Sequence, residues 1–176
     1  MRYTFTLAAL AAATAFAAPA AAQTVSSSDT IKAQALIIQP ATLQRVDDLS
    51  FGTIIATPTA VGSVTIDADD GSRAFTGTGL TLSSTDVGGR GRFLGNGNLN
   101  VDVPLNVSFP AYLSNVADRT KTVTFTGKLD AAANDLLVNT GATGVFYVGV
   151  GGKIDIAAGQ MPGLYDGEVT LTAQFQ

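Results

Sequence analysis

The sequence predicts an all-β protein, an antiparallel β-sandwich of immunoglobulin-like type with little helix. Apolar residues recur at every second position in several short runs, which is the period of a half-buried strand. Pairs rich in Gly, Asn and Asp separate these runs and are typical of turns. Only residues 130–137 favour a helix, of one or two turns.

The clearest strand signal covers residues 98–109. Strict alternation places its apolar side chains on one face of the strand. Pro104 has no amide to donate, so we expect an edge position, a bulge or a bend there. The six apolar members of this run are Leu99, Val101, Val103, Leu105, Val107 and Phe109.

Three further runs show the same alternation, at residues 63–68, 122–129 and 146–156. The last is interrupted by Gly151 and Gly152. A Gly-Gly pair between two strand-forming runs predicts a tight hairpin at this point.

Composition excludes several classes of function. The 176 residues contain no His and no Cys, which excludes Ser-His triads, Cys nucleophiles and the usual zinc sites. The net charge is −4, with Lys and Arg scattered along the chain, so we expect no nucleic-acid partner. We expect no enzyme, because general acid–base catalysis most often uses His, and we expect no cofactor.

The N-terminus predicts export. Arg2 precedes an apolar run over residues 7–18, and Ala20-Ala21-Ala22 offers small residues at a cleavage point before Gln23. Residues 1–22 are therefore expected to be a secretory signal peptide, with residues 23–38 an extension and residues 39–176 the sandwich domain. We expect the protein in the periplasm, at the cell surface or outside the cell, with no transmembrane segment.

The C-terminus predicts a regular final strand. Between Gly163 and Gln176 apolar and polar residues alternate, so one face is apolar throughout. We expect this strand to be paired in a sheet. Its candidate pairing residues are Gly163, Tyr165, Val169, Leu171, Ala173 and Phe175.

The extension at residues 23–38 contains a second apolar strand, which ends before Pro40. Such a strand must fill a groove, either in its own domain or in a neighbouring molecule. Both alternatives are open from the sequence. Pairing with a neighbour repeats head to tail and builds a filament. The candidate donor residues are Ile31, Ala33, Ala35 and Ile37.

One acidic turn offers weak metal ligands. Asp67, Asp69 and Asp70 cluster before Gly71, and hard cations such as Ca²⁺ prefer carboxylate oxygen. The spacing does not fit an EF-hand loop, so we expect a solvated turn and no metal.

Several motifs, in order, carry a family resemblance: Leu49-Ser-Phe-Gly52, Phe146-Tyr-Val-Gly-Val-Gly-Gly152, Gly163-Leu-Tyr-Asp-Gly167 and the alternating tail. The chain resembles a secreted bacterial family known as domain of unknown function 4402. More distantly it is similar to spore coat protein U and to pilins of the chaperone–usher pathway, where a Gly and a penultimate aromatic correspond to Gly163 and Phe175. The resemblance implies a pilin-like sandwich, a periplasmic chaperone that binds the C-terminal strand, an outer-membrane usher, and exchange for a neighbour's N-terminal strand.

The expected function is therefore a non-enzymatic surface or adhesive subunit, assembled with itself or related subunits by strand addition. The alternative is a self-contained periplasmic or extracellular module that binds polysaccharide or a cation. A stable monomer whose melting temperature rises with ligand would favour the alternative.

Overall fold

The computed structural model describes residues 29–32, 34–35 and 41–175. The chain divides into two compact units, residues 1–36 and 37–176, and the sandwich lies in the second. The predicted all-β antiparallel fold is confirmed. The strands are β1 (Thr42–Asp47), β2 (Ile54–Ile66), β3 (Arg73–Leu82), β4 (Gly91–Asn96), β5 (Asp102–Ser108), β6 (Tyr112–Asn115), β7 (Thr122–Leu129), β8 (Leu137–Asn139), β9 (Val145–Ile156), β10 (Tyr165–Asp166) and β11 (Thr170–Ala173).

The larger sheet is organised around β9. Strand β7 pairs with one edge of β9, while β4 and β2 pair end to end along the other edge. The sheet order is β1-β4-β9-β7-β6-β10, and β3 extends it by pairing with β2. The twelve residues of β9 thus pair with three neighbouring strands.

The hairpin predicted at Gly151 and Gly152 is wrong, because β9 passes straight through both residues. A Cβ on Gly151 would lie 2.4 Å from the carbonyl oxygen of Ile66 on β2. The glycines therefore allow neighbouring backbones to approach β9 closely, which is the other use of glycine inside a strand.

The smaller sheet has three strands in the order β11-β5-β8. The strand predicted from residue 98 begins only at Asp102, and Leu99 lies in an exposed turn. Pro104 lies in the middle strand and not at an edge. Its missing amide faces β11 opposite Gln174, so this position keeps one bond, from the Gln174 amide to the Pro104 carbonyl, and the regular pairing ends at Ala173 and Leu105.

Two clusters of buried side chains form the core. The first lies between the two sheets, and the second lies on the inner face of β2, β7 and β9. The alternation predicted for residues 63–68, 122–129 and 146–156 is confirmed, because its apolar members are buried. They are Val64, Ile66, Ala68, Val123, Phe125, Leu129, Phe146, Val148, Val150, Ile154 and Ile156.

No helix forms over residues 130–137. Consecutive turns follow Asp130, and β8 begins at Leu137. The buried carboxylate of Asp130 accepts from the amides of Gly149 (2.6 Å) and Ala133 (3.1 Å), so this turn is attached to β9. The sequence signal was three consecutive alanines, which favour a helix only weakly in a short segment.

The C-terminal segment is two short strands instead of the single strand predicted. Residues 165–166 pair with β6 in the larger sheet, and residues 170–173 pair with β5 in the smaller one. The chain crosses between the layers at residues 167–169. A Cβ on Gly167 would lie 2.7 Å from the Leu113 side chain, so the crossing requires close contact with β6.

Candidate functional site

The second layer of the sandwich covers only half of the larger sheet. The three-stranded sheet packs on the first core cluster. Over the second cluster, the covering residues come mainly from the two segments that flank the gap, residues 48–54 and 160–169. Apart from the two-residue β10, these segments carry little strand structure, so this half lacks a regular second sheet.

An open crevice of about 950 Å³ lies between these two segments. Its floor is the inner face of β7 and β9, where Phe125, Ile154 and Ile156 are nearly buried. Its rim is more exposed, with Leu164 at 72% and Met161 at 37%. The crevice therefore has a nearly buried apolar floor and exposed apolar residues along one side of its rim.

One wall of the crevice is held by Arg73. Its guanidinium donates to three backbone carbonyls, those of Phe51 (2.9 Å), Asp86 (3.1 Å) and Ser83. Ser50 and Gly89 exchange backbone hydrogen bonds beside it. Charge-assisted bonds to carbonyls are stronger than neutral ones, so this wall is fixed relative to the β2–β3 hairpin.

The opposite wall is held by polar contacts around Tyr165. Its hydroxyl donates to the Met161 carbonyl (2.6 Å) and accepts from the Gln160 amide (2.6 Å). The Arg119 guanidinium forms an ion pair with Asp166, and this contact holds the pKa of Arg119 above its usual value. The Tyr165 bonds stabilise the wall internally, and the Arg119–Asp166 ion pair attaches it to the segment after β6.

The crevice lining is acidic. It contains one basic residue, Arg45, against five carboxylates. Arg45 itself pairs with Asp48 at 2.8 Å, on the exposed surface. The carboxylates of the lining are Asp47, Asp48, Asp86, Asp166 and Glu168.

Two unpaired strand edges flank the crevice. Among residues 41–175, β1 pairs only with β4, and β11 pairs only with β5. A free edge presents backbone donors and acceptors that another strand can pair with. The crevice and these edges are therefore a site of the right kind to receive an extended segment.

The predicted C-terminal pairing residues lie along this region. Gly163 and Tyr165 belong to one wall, and Val169 packs against both core clusters. The remaining three point into the first cluster, where the Phe175 ring lies 6.3 Å from that of Phe146. They are Leu171, Ala173 and Phe175. The alternation was thus predicted correctly, although the strand was not continuous.

The predicted donor residues are only partly described. Ile31 is 93% exposed, Ala35 is exposed, and neither lies in a strand. Ala33 and Ile37 lie outside the described residues, as does the predicted signal peptide 1–22.

The carboxylates of the acidic turn at residues 67–71 accept hydrogen bonds from nearby backbone amides. Asp67 accepts from the amides of Asp69 (2.7 Å) and Asp70 (3.3 Å), and Asp69 accepts from the Ala131 amide (2.7 Å). The Asp70 carboxylate accepts hydrogen bonds from the amide and hydroxyl of Ser72, and these bonds lower the pKa of Asp70. Within the described part of the chain, no cluster of three or more acidic, His or Cys side chains could hold a metal ion.

The sequence did not predict the rim of the crevice. Met161, Leu164 and the segment around Phe51 have no periodic pattern, because they follow loops and not strands. The only sequence signal was the pair of flanking motifs at residues 49–52 and 163–167, whose partnership becomes visible only in three dimensions.

Residues 41–175 match a family model described as Domain of unknown function (DUF4402), so the chain belongs to this family. No curated protein and no solved structure matches the chain. In the residues that the structure describes, no helix is long and apolar enough to cross a membrane.

Proposed function

We propose that this member of the DUF4402 family is an exported, non-enzymatic structural subunit that assembles on the cell surface by strand addition. In this proposal the apolar strand of one copy (Ile31, Ala33, Ala35 and Ile37) occupies the crevice of the next copy. The single observation that carries the proposal is a crevice with an apolar floor beside the edges of β1 and β11, which are unpaired within residues 41–175.

The crevice suits a strand better than a small polar molecule. Its floor is apolar, and it is bordered by residues at the ends of β1 and β11, whose outer edges present free backbone groups within residues 41–175. An added strand gains main-chain hydrogen bonds from an edge, and alternate side chains fill the apolar floor. The floor side chains are already nearly buried, so most of the apolar surface that an inserted strand would cover belongs to Leu164 and Met161 on the rim, at about 25 cal/mol per Å².

A head-to-tail arrangement follows from the separation of donor and acceptor on the chain. Each copy offers one strand and one crevice, so the contact is heterologous and repeats without closing. Such an assembly is a filament. A periplasmic chaperone that protects the crevice before assembly, and an outer-membrane usher, are the partners that this proposal requires in the cell.

The test uses the full chain after export. Purified protein should run as a ladder of oligomers in SDS without heating, and boiling should collapse the ladder to monomer. Deletion of residues 23–38 should remove the ladder. A matched control replaces residues 23–29 alone with Gly and Ser, which keeps the donor strand and should keep the ladder. A monomer that is unaffected by the deletion would reject the proposal.

A further inference from the structure

The crevice has one acidic end. Asp47 and Asp48 close β1, and Asp86 lies in the same wall, where its carboxylate accepts from the Thr53 hydroxyl (2.7 Å). Glu168 lies on the opposite wall. Arg45 and Arg92 offset part of this charge through exposed ion pairs with Asp48 and Asp47.

The opposite end of β1 is apolar. Leu43 packs against the first core cluster together with Phe93 and Phe175. Leu43 is opposite Gly95 on β4, and Gly95 is opposite the buried Phe146 on β9. Along β1, Leu43 thus packs inward at one end, and beyond the exposed Val46 the other end carries Asp47, followed by Asp48 just past the strand.

The donor segment also has one charged end and one apolar end. Among residues 30–39, Lys32 carries the only charge, and the apolar residues concentrate toward Ile37 and Ile38. Lys32 and Ile37 are five positions apart, as are Leu43 and Asp48. Five extended positions cover about 16 Å. The bulge between Arg45 and Asp47 brings Asp48 somewhat closer to Leu43 than this, a difference that the flexible Lys32 side chain can span.

We infer that the inserted strand runs antiparallel to β1 of the neighbouring copy, with Ile37 level with Leu43 and Lys32 level with Asp48. This inference rests on the proposed function. In the opposite direction, the Lys32 ammonium would lie at the apolar end, and Ile37 would lie among carboxylates. Burying a charge beside apolar side chains is costly, which disfavours that direction.

Backbone geometry agrees with this direction. The Thr42 amide donates toward β4, to the Asn96 side chain at 3.1 Å. Because successive residues of a strand point their amides to opposite sides, the Leu43 amide faces the free edge. An antiparallel partner can therefore exchange hydrogen bonds with Leu43 from the outside.

The test is a charge exchange between copies. Lys32→Glu and Asp48→Lys each place like charges at the junction, and each variant alone should assemble about fivefold more slowly than the parent at low salt. When the two variants are mixed, every alternating junction pairs opposite charges, so mixing should restore assembly. Lys128→Glu, an exposed site on the outer face of β7, is the matched control and should not change the rate.

Salt gives a second readout. At about 1 M ionic strength the Debye length falls to about 3 Å, so the difference between the variants and the parent should largely disappear. Rescue on mixing, removed by salt, supports the inference. Single variants that assemble like the parent, or defects that mixing does not rescue, would overturn it, while loss of assembly on deleting residues 23–38 would still support the proposed function. If that deletion has no effect on assembly, both proposals fail.

Discussion

The free edge of β11 can be tested with two adjacent proline substitutions. The Gln174 amide donates to the Pro104 carbonyl at 2.9 Å, across the pair of strands β11 and β5. By alternation, Thr172 points its amide toward β5, where it is opposite Asn106, and Ala173 points its amide toward the free edge. The two positions therefore differ in which side their amide faces, and also in burial, because Thr172 is exposed and Ala173 is half-buried against the first core cluster.

Thr172→Pro removes a ladder donor in the domain itself. The loss of this hydrogen bond and the clash of the ring should reduce the free energy of unfolding by about 3 kcal/mol. Ala173→Pro removes no bond within the domain and should cost about 1 kcal/mol, mainly from fixing φ. The measurement is urea unfolding of freshly isolated monomer.

Assembly should respond in a different way. Because the inserted strand is inferred to pair with β1 of the neighbouring copy, Ala173→Pro, which removes a donor only from the β11 edge, should leave both the folded monomer and the SDS-resistant ladder in place. A weakened ladder would instead favour pairing of the inserted strand with β11. Equal destabilisation by the two prolines would refute the assignment of amide directions. An unchanged ladder for Ala173→Pro would show that the inserted strand does not pair with β11.

Three other predictions concern the scaffold. Gly151→Ala should lower the free energy of unfolding by about 1–3 kcal/mol, because its Cβ would approach a β2 carbonyl to 2.4 Å. In the same denaturant titration the control Gly89→Ala, whose Cβ would have no atom within 4 Å, should change the free energy of unfolding by less than about 0.5 kcal/mol. Asp130→Ala should cost about 1–3 kcal/mol, because two amides lose their buried acceptor, and Asp130→Asn should cost less, since it keeps one acceptor oxygen. Hydrogen bonds from the Thr120 hydroxyl and amide lower the pKa of Asp118 in the folded protein. The contribution of Asp118 to stability is therefore present above the unfolded pKa of about 3.9 and is lost as the pH falls through the folded pKa. Thr120→Ala should raise the folded pKa of Asp118, measured by NMR titration of the carboxylate.

The alternation of apolar and polar residues predicted the strands well, because every second side chain of a strand faces the core. Val64 and Phe125 are buried as their patterns required. The hairpin predicted from the Gly-Gly pair was wrong, because glycine occurs both in turns and where two backbones are in close contact. Only the position of β2 against Gly151 distinguishes the two cases. The final strand kept its apolar face while it changed sheets, which a one-dimensional pattern does not record.

The candidate site was predicted in part. Gly163, Tyr165 and Val169 line the crevice, whereas Leu171, Ala173 and Phe175 pack in the first core cluster. The crevice itself depends on which half of the larger sheet the smaller sheet covers, and on loops such as the one carrying Leu164. No local pattern encodes that coverage.

Cysteine cross-linking tests the exchange of strands most directly, because the chain has no Cys of its own. One population carries Ile37→Cys and the other Leu43→Cys, and opposite residues on antiparallel strands are close enough for a disulfide. Mixed under mild oxidation, the two should give a covalent heterodimer on a non-reducing gel. A partner carrying Lys128→Cys should give none. Failure of the first pair to cross-link above the level of the second would contradict insertion of one copy's N-terminal strand beside β1 of another.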